Sequence, residues 1–212
     1  MHKVIVHIAA SLDGYIAHKN DDVTWLDFYQ VADIDYGYSE FIKAIGTAIM
    51  GARTYDQSMR HPERMLTNIK TYVLSHKTMP VPSGASVEFY NGNLKALIDR
   101  IKNEDNGDIF VVGGGQVVCS FLSEGLVDEL LHFVVPVLLK EGIPLYSMLK
   151  KEIGLKLVET IPYKTEIVKL HYLRDGGSLA EGEILLNSDW PHGALDLTWL
   201  AGAIRGIAGR RY

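Results

Sequence analysis

The sequence predicts an α/β protein built on a mixed, mostly parallel sheet with helices on both faces and an antiparallel hairpin at its C-terminal end. Three observations carry that expectation. Strand-like and helical segments alternate along the first two thirds of the chain, which requires crossover connections and therefore parallel strands. The first strand-like run is almost wholly apolar and β-branched, as in a strand covered on both faces. Near the end, "LKLVETIPYKTEIVKLHYLR" holds two alternating runs about a "PYKT" turn, the pattern of an antiparallel hairpin.

The elements follow in order. "KVIVHIAASLDGYIA" places a central strand over Val4 to Ala9, closed by the turn signal "LDG". Residues 33 to 45 set Tyr38, Phe41, Ile42 and Ile45 at helical spacing with Ser39 and Glu40 outward, which predicts a helix. "TAIMG" at 47 to 51 reads as a short strand and "ARTYDQSM" as the start of a helix. "KTYVLSHKTMP" at 70 to 80 is a strand running into a loop marked by Pro80 and Pro82, and "ASVEFY" at 85 to 90 is another. Asn93 then caps an amphipathic helix, "LKALIDRIKN", whose apolar residues fall at 94, 97, 98 and 101. "IFVVGGGQVVCSFL" at 109 to 122 passes from strand to helix through three glycines. "VDELLHFVVPVLL" is a long apolar strand interrupted by Pro136.

The bulk composition narrows the function classes. The chain has 212 residues, of which 47% are hydrophobic and 22% charged, which suits one main globular domain. A formal charge of −5 without a Lys/Arg tract argues against a nucleic-acid surface and for a small-molecule partner. A single cysteine, Cys119, permits no intrachain disulfide, reads as a small buried hydrophobe and points to a reducing, cytoplasmic compartment. The N-terminus enters a strand directly, without a signal-peptide core, and no run approaches the roughly 18 apolar residues of a membrane span. His2 and His7 are five residues apart and so face opposite sides of a strand, and no cysteine or carboxylate cluster suggests a metal site.

Beyond about residue 176 the composition shifts. Residues 176 to 212 hold no lysine and seven glycines, so they read as a C-terminal extension separate from a domain spanning 1 to 175. Leu197, Leu200, Ile204 and Ile207 would share one face of an amphipathic helix near 195 to 208, although Gly202, Gly206 and Gly209 each cost such a helix about 1 kcal/mol relative to alanine. A docking helix, a loosely ordered extension and a segment added to the natural chain all remain open.

In an open α/β sheet, ligands gather beyond the carboxyl ends of the strands. Four segments fall there: Ser11 to Ile16, Gly51 to Thr54, Ser75 to Thr78 and Gly113 to Gln116. Gly113, Gly114 and Gly115 admit close backbone approach at a helix start suited to a pyrophosphate. Arg53 and Thr54 offer a guanidinium and a hydroxyl at a second helix start, and Ser75, His76 and Lys77 could hold a further phosphate. Asp13, before Gly14, is a candidate for contact with substrate or cofactor, or else a turn residue bonded to its own backbone. Trp25 and Tyr29 are spaced to wall a substrate pocket, or to sit in the core.

Together, "SLDGYIA", "MGARTYD", "YVLS", "VVGGGQ" and "LVDELLHFVVPVLLKEGIPLY" resemble the dihydrofolate reductase-like superfamily. In particular, they resemble stand-alone proteins similar to the C-terminal reductase domain of bifunctional riboflavin-biosynthesis deaminase-reductases, over residues 2 to 174. The resemblance implies a three-layer fold and an NADPH-dependent reductase acting on a small heterocyclic or carbonyl-type substrate. It implies that the nicotinamide lies against Ala9, Ala10 and the Asp13 to Ile16 loop. The pyrophosphate would lie between the Arg53-Thr54 helix start and Gly114-Gly115, and the adenosine phosphate near Ser75 and His76. Gly51, Gly113 and Gln116 belong to the same loops. It also implies a homodimer paired through the C-terminal sheet region, and Glu129, in "VDEL", recurs in the family pattern as a candidate acid alongside Asp13, or else as a member of a structural ion pair.

Three features depart from the pattern. Asp27, Asp33 and Asp35 lie where folate reductases carry an acid, but in no matching motif; Gly113 stands where riboflavin-pathway reductases usually have Glu, and Ala52 where relatives often have Arg. Two alternatives therefore stay beside the general reductase: a 5-amino-6-(5-phosphoribosylamino)uracil reductase, and a nucleotide-binding module without turnover.

Overall fold

The computed structural model describes residues 2–61, 65–66, 68–104 and 107–174; the expected extension at 176–212 lies outside the described residues. Strand β1 (Val4–Ser11) leads through the Asp13 turn to β2 (Tyr15–Ala17) and a 3-10 helix, Thr24–Tyr29. Helix α1 (Tyr38–Lys43) precedes β3 (Ile45–Gly51), α2 (Ala52–Arg60), β4 (Lys70–Leu74) and β5 (Val87–Tyr90). Next come α3 (Leu94–Asn103), β6 (Asp108–Gly113), α4 (Gly115–Ser123) and β7 (Glu129–Val135). The short β8 (Ile143–Pro144) is followed by the hairpin β9 (Leu155–Pro162) and β10 (Val168–Arg174).

Eight strands form one sheet in the order β5-β4-β3-β6-β1-β7-β10-β9. The first six are mutually parallel and the last two antiparallel, as the alternation and the hairpin pattern predict. β1 lies between β6 and β7, and its even-numbered side chains Val4, Val6 and Ala10 pack with Leu97, Ile101, Val118 and Phe121 of α3 and α4. On the opposite face, Phe133, Val135 and Ile167 pack with Trp25, Leu26 and Tyr29 of the 3-10 helix, while Met50 and Val73 pack with Tyr55 of α2. Period-two alternation thus sorts each strand into two cores, with helices on both sides.

Asn93 caps α3 as expected: its Oδ1 accepts from the Ala96 amide at 2.9 Å, a bond that stabilises such a helix start by about 1 kcal/mol. The helix expected over 33 to 45 is shorter. Tyr36 and Gly37 sit at φ of +56° and +79°, so the chain cannot be helical there and α1 begins only at Tyr38. The small antiparallel pair of β2 with β8 has no counterpart in the sequence reading, because three residues and two residues are too short to show a period.

Candidate functional site

A cavity of about 880 Å³ opens across the carboxyl ends of β1, β3, β4 and β6. That volume lies within the range of small-molecule and cofactor sites. Ten of the thirteen residues expected at a dinucleotide line it: Ala9, Ile16, Gly51, Arg53, Thr54, Ser75, His76, Gly114, Gly115 and Gln116. They come from four separate loops, brought together because parallel strands end at one edge of the sheet.

The three glycines of the "VVGGGQ" turn serve three different needs. Gly113 ends β6 at φ +126°, a conformation that side chains rarely adopt, and it does not line the cavity. A Cβ on Gly115 would meet the Pro144 and Leu145 carbonyl oxygens at 2.8 and 3.1 Å, so its missing side chain lets the loop after β8 close against α4. Gly114 has room: a Cβ there would reach Thr54 Oγ1 at 3.4 Å and Ile16 Cδ1 at 3.8 Å. Its bare backbone therefore leaves a methyl-sized cradle between the starts of α2 and α4.

Neither helix start is capped by a side chain, although each is preceded by extended backbone at Gly51 or Gly114. Uncapped first-turn amides and the positive ends of two helix dipoles favour an anion in that cradle. Arg53 stands at the mouth, largely exposed, with its guanidinium 3.9 Å from the Asp21 carboxylate. Ser75 is already engaged: its Oγ donates to the Lys77 carbonyl at 2.6 Å and accepts from the Lys77 amide at 3.0 Å. It shapes the loop that presents exposed His76.

The other end of the cavity is apolar and aromatic, lined by His7, Val23, Leu26, Tyr38 and Phe110. The His7 ring stacks on Phe41 at 4.6 Å and lies tilted against Phe133 at 4.5 Å, with Tyr38 and Phe110 edge-on. Burial, aided by the nearby Lys169 charge, lowers the His7 pKa to about 4, so the ring is neutral at pH 7.

The remaining sequence candidates lie elsewhere. Ala10 is fully buried, facing α3 and α4 rather than the cavity. Trp25 and Tyr29 pack against the core cluster around Phe133 and do not line the cavity, whereas their neighbours Leu26 and Val23 do. Asp13 is a loop clasp. Its carboxylate accepts from Ser11 Oγ at 2.6 Å and from the Lys140 and Leu139 amides at 2.7 and 3.1 Å, and the Ser11 bond, with those amides, holds its pKa below the usual carboxylate value. Glu129 begins β7 opposite Ile5, at the far end of the strands from the cavity. It pairs with Lys3 at 2.6 Å and His171 at 3.1 Å, which corrects the catalytic expectation to a structural ion pair.

Sequence reading missed His7 and the loop carrying Pro144, Ser147 and Met148, all of which line the cavity. A signal for His7 existed. It lies two residues before Ala9 on the same strand, so alternation places both on one face.

Comparison with known proteins agrees with this arrangement. An uncharacterized Bacillus subtilis (strain 168) protein, YwjB, is 35% identical over 179 residues, covering 81% of this chain and 98% of its own. A second from the same strain, YyaP, is 28% identical over 186 residues, covering 82% and 96%. Among solved structures, a putative riboflavin biosynthesis protein from Shewanella sp. PV-4 superposes with a TM-score of 0.75 at 27% identity, over 82% of this chain and 99% of that one. The Thermotoga maritima diaminohydroxyphosphoribosylaminopyrimidine deaminase/5-amino-6-(5-phosphoribosylamino)uracil reductase shares the fold, with a TM-score of 0.64 at 15% identity over 82% of this chain and 57% of that one. The dihydrofolate reductase-like architecture expected from the motifs is therefore the observed one. The RibD C-terminal domain model matches residues 2–169, taking in every described strand and helix but most of β10, and the chain belongs to that family.

Proposed function

We propose that the protein is an NADPH-dependent reductase of the riboflavin-pathway type, delivering a hydride to a small heterocyclic or carbonyl-type substrate. The observation that carries this reading is the cradle at Gly114, faced by the uncapped starts of α2 and α4 and continuous with an aromatic chamber in one cavity. Bound NADPH would supply the hydride, a chemistry that belongs to the cofactor. The chain's own residues bind and orient. The amides opening α2 and α4 hold the pyrophosphate with Thr54 and Arg53, His76 stands near the adenosine-side phosphate, and Ala9 and Ile16 form the small apolar wall for the nicotinamide. His7, Leu26, Tyr38 and Phe110 exclude water from the substrate's end.

Titrating the protein with NADPH, followed by cofactor fluorescence and thermal shift, is expected to show micromolar binding and a raised melting temperature, with NADH at least tenfold weaker. A flat response to both cofactors would overturn the reading. Binding without oxidation across folates, pteridines and pyrimidines would favour a nucleotide-binding module instead.

The same reading includes a cytoplasmic homodimer. Support for pairing comes from β9, which among the described residues ends the sheet with an unpaired strand edge and exposes Leu155, Leu157 and Val158. Light scattering is expected to return twice the chain mass; a monomer mass would remove the pairing.

A further inference from the structure

We infer that His7 is the substrate-recognising residue of the aromatic chamber, and that the chamber takes an uncharged planar heterocycle which donates a ring N–H or amino hydrogen to the imidazole. This rests on the reductase reading for the location of the cofactor, but its geometric basis is separate.

The small interplanar angles of His7 with Phe41 and Phe133, 29° and 36°, show that aromatic neighbours use the faces of the imidazole. What the ring can offer the cavity is its edge, where the nitrogens are. Burial keeps the ring neutral. A neutral imidazole carries one protonated nitrogen, which donates, and one with a lone pair, which accepts. The edge thus presents one acceptor among Leu26, Tyr38, Phe110 and Val23, in surroundings where an unpaired polar group is costly. A ligand that brings a donor satisfies it, while its planar faces suit the aromatic walls.

Charge selects further. Among the described residues that line the cavity, Arg53 is the one with a permanent positive charge, and it stands at the start of α2 beside Asp21. Lys169, the cation that the His7 ring senses, is paired with Glu159 at 2.8 Å and does not line the cavity. Lys19 and Lys43 are likewise held by Glu141 and Glu40. A phosphate carried into the chamber would be desolvated without a partner. The substrate of this chain is therefore a phosphate-free ring, in contrast to the phosphoribosylated pyrimidine for which the Thermotoga protein is named.

The test uses the full chain saturated with NADPH and two probes, 5,6-diaminouracil and 5-amino-6-(5-phosphoribosylamino)uracil. The free base is expected to bind at least as tightly as the phosphorylated form. His7→Phe, which keeps a ring against Phe41 and Phe133, is expected to weaken the free base at least tenfold while NADPH still binds; His7→Gln, which restores an acceptor, is expected to recover part of the loss. In the wild type, ¹⁵N-histidine spectra are expected to show a neutral His7 ring at pH 6.5 whose unprotonated nitrogen shifts upfield when the base binds. Tenfold preference for the phosphorylated probe, an unaffected His7→Phe variant, no binding of the base, or an unmoved nitrogen signal each overturns the inference. Failure of the underlying reductase reading shows separately, as loss of NADPH binding by the wild type. The spectra remain readable if His7→Phe does not fold.

Discussion

Gly115→Ala is expected to destabilise the fold by about 1–3 kcal/mol, the usual cost of an overpacked methyl, and to lower the thermal midpoint by roughly 2–10 °C. The atoms it meets are backbone carbonyls of Pro144 and Leu145, which cannot swing aside as a side-chain end can. Its neighbour is expected to behave in the opposite way. Gly114→Ala adds a methyl in ordinary contact with Thr54 and Ile16 at an extended φ of −72°, so the midpoint is expected to stay within a few degrees. That methyl fills the anion cradle, and NADPH affinity is expected to fall at least tenfold. Gly113→Ala has space, with Ile8 Cδ1 as its nearest neighbour at 3.7 Å, but not torsional freedom, and strain at φ +126° is expected to cost about 1–3 kcal/mol. Thermal melts and NADPH titrations of the three variants separate stability from binding. A Gly114→Ala protein that binds NADPH like the wild type would remove the cradle from the cofactor site.

That separation also shows what the sequence could and could not reveal. Three consecutive glycines after a β-branched run mark a strand-to-helix turn at the ligand edge of a parallel sheet, and the turn is there. Which glycine is bare for the ligand depends on Thr54, some sixty residues earlier, and on Pro144, some thirty later; no local pattern encodes such distances. The strands were legible because burial on both faces imposes long apolar runs, as in Val4 to Ala9, and the Asn93 cap because capping is a local bond. The 33–45 helix was overdrawn because apolar spacing cannot register the positive φ at Tyr36. Asp13 and Glu129 drew attention as carboxylates near strand ends, but their roles follow from partners at Lys140 and His171, distant in sequence. His7 was weighed for metal binding alone, for the converse reason. Its chemistry arises from Phe41 and Phe133, which convert an ordinary strand histidine into a neutral acceptor.

Lowering the pH from 7.5 to 4.5 is expected to destabilise the protein steeply, through His7 and a second buried histidine, His132. Burial lowers both pKa values to about 4, against an ordinary value of 6.5. The sign follows from that direction. The unfolded chain takes up a proton on each ring near pH 6.5 while the folded chain does not, so stability is fully present above 6.5 and is lost as the pH falls toward 4. Each histidine accounts for roughly 2–3 kcal/mol by pH 4.5, with a limiting slope of about 1.4 kcal/mol per pH unit. Two such losses are large against a typical total of about 5–15 kcal/mol. The carboxylates held low by hydrogen bonds or ion pairs, among them Asp35 and Glu141, lose their contribution only as the pH drops through the carboxylate range, so measurements above 4.5 report mainly on the histidines. His132 can be isolated. Its Nδ1 lies 3.3 Å from the Tyr146 hydroxyl, and its Nε2 is buried without a partner among the described residues. Changing His132 and Tyr146 together to phenylalanine removes both partners of one bond and leaves similar shapes, so stability at pH 7.5 is expected to change little. In urea unfolding between pH 6.5 and 4.5 the double variant is expected to show about half the wild-type slope, and His7 the other half. An unchanged slope would mean that His132 is already protonated, or already hydrated, within the folded protein.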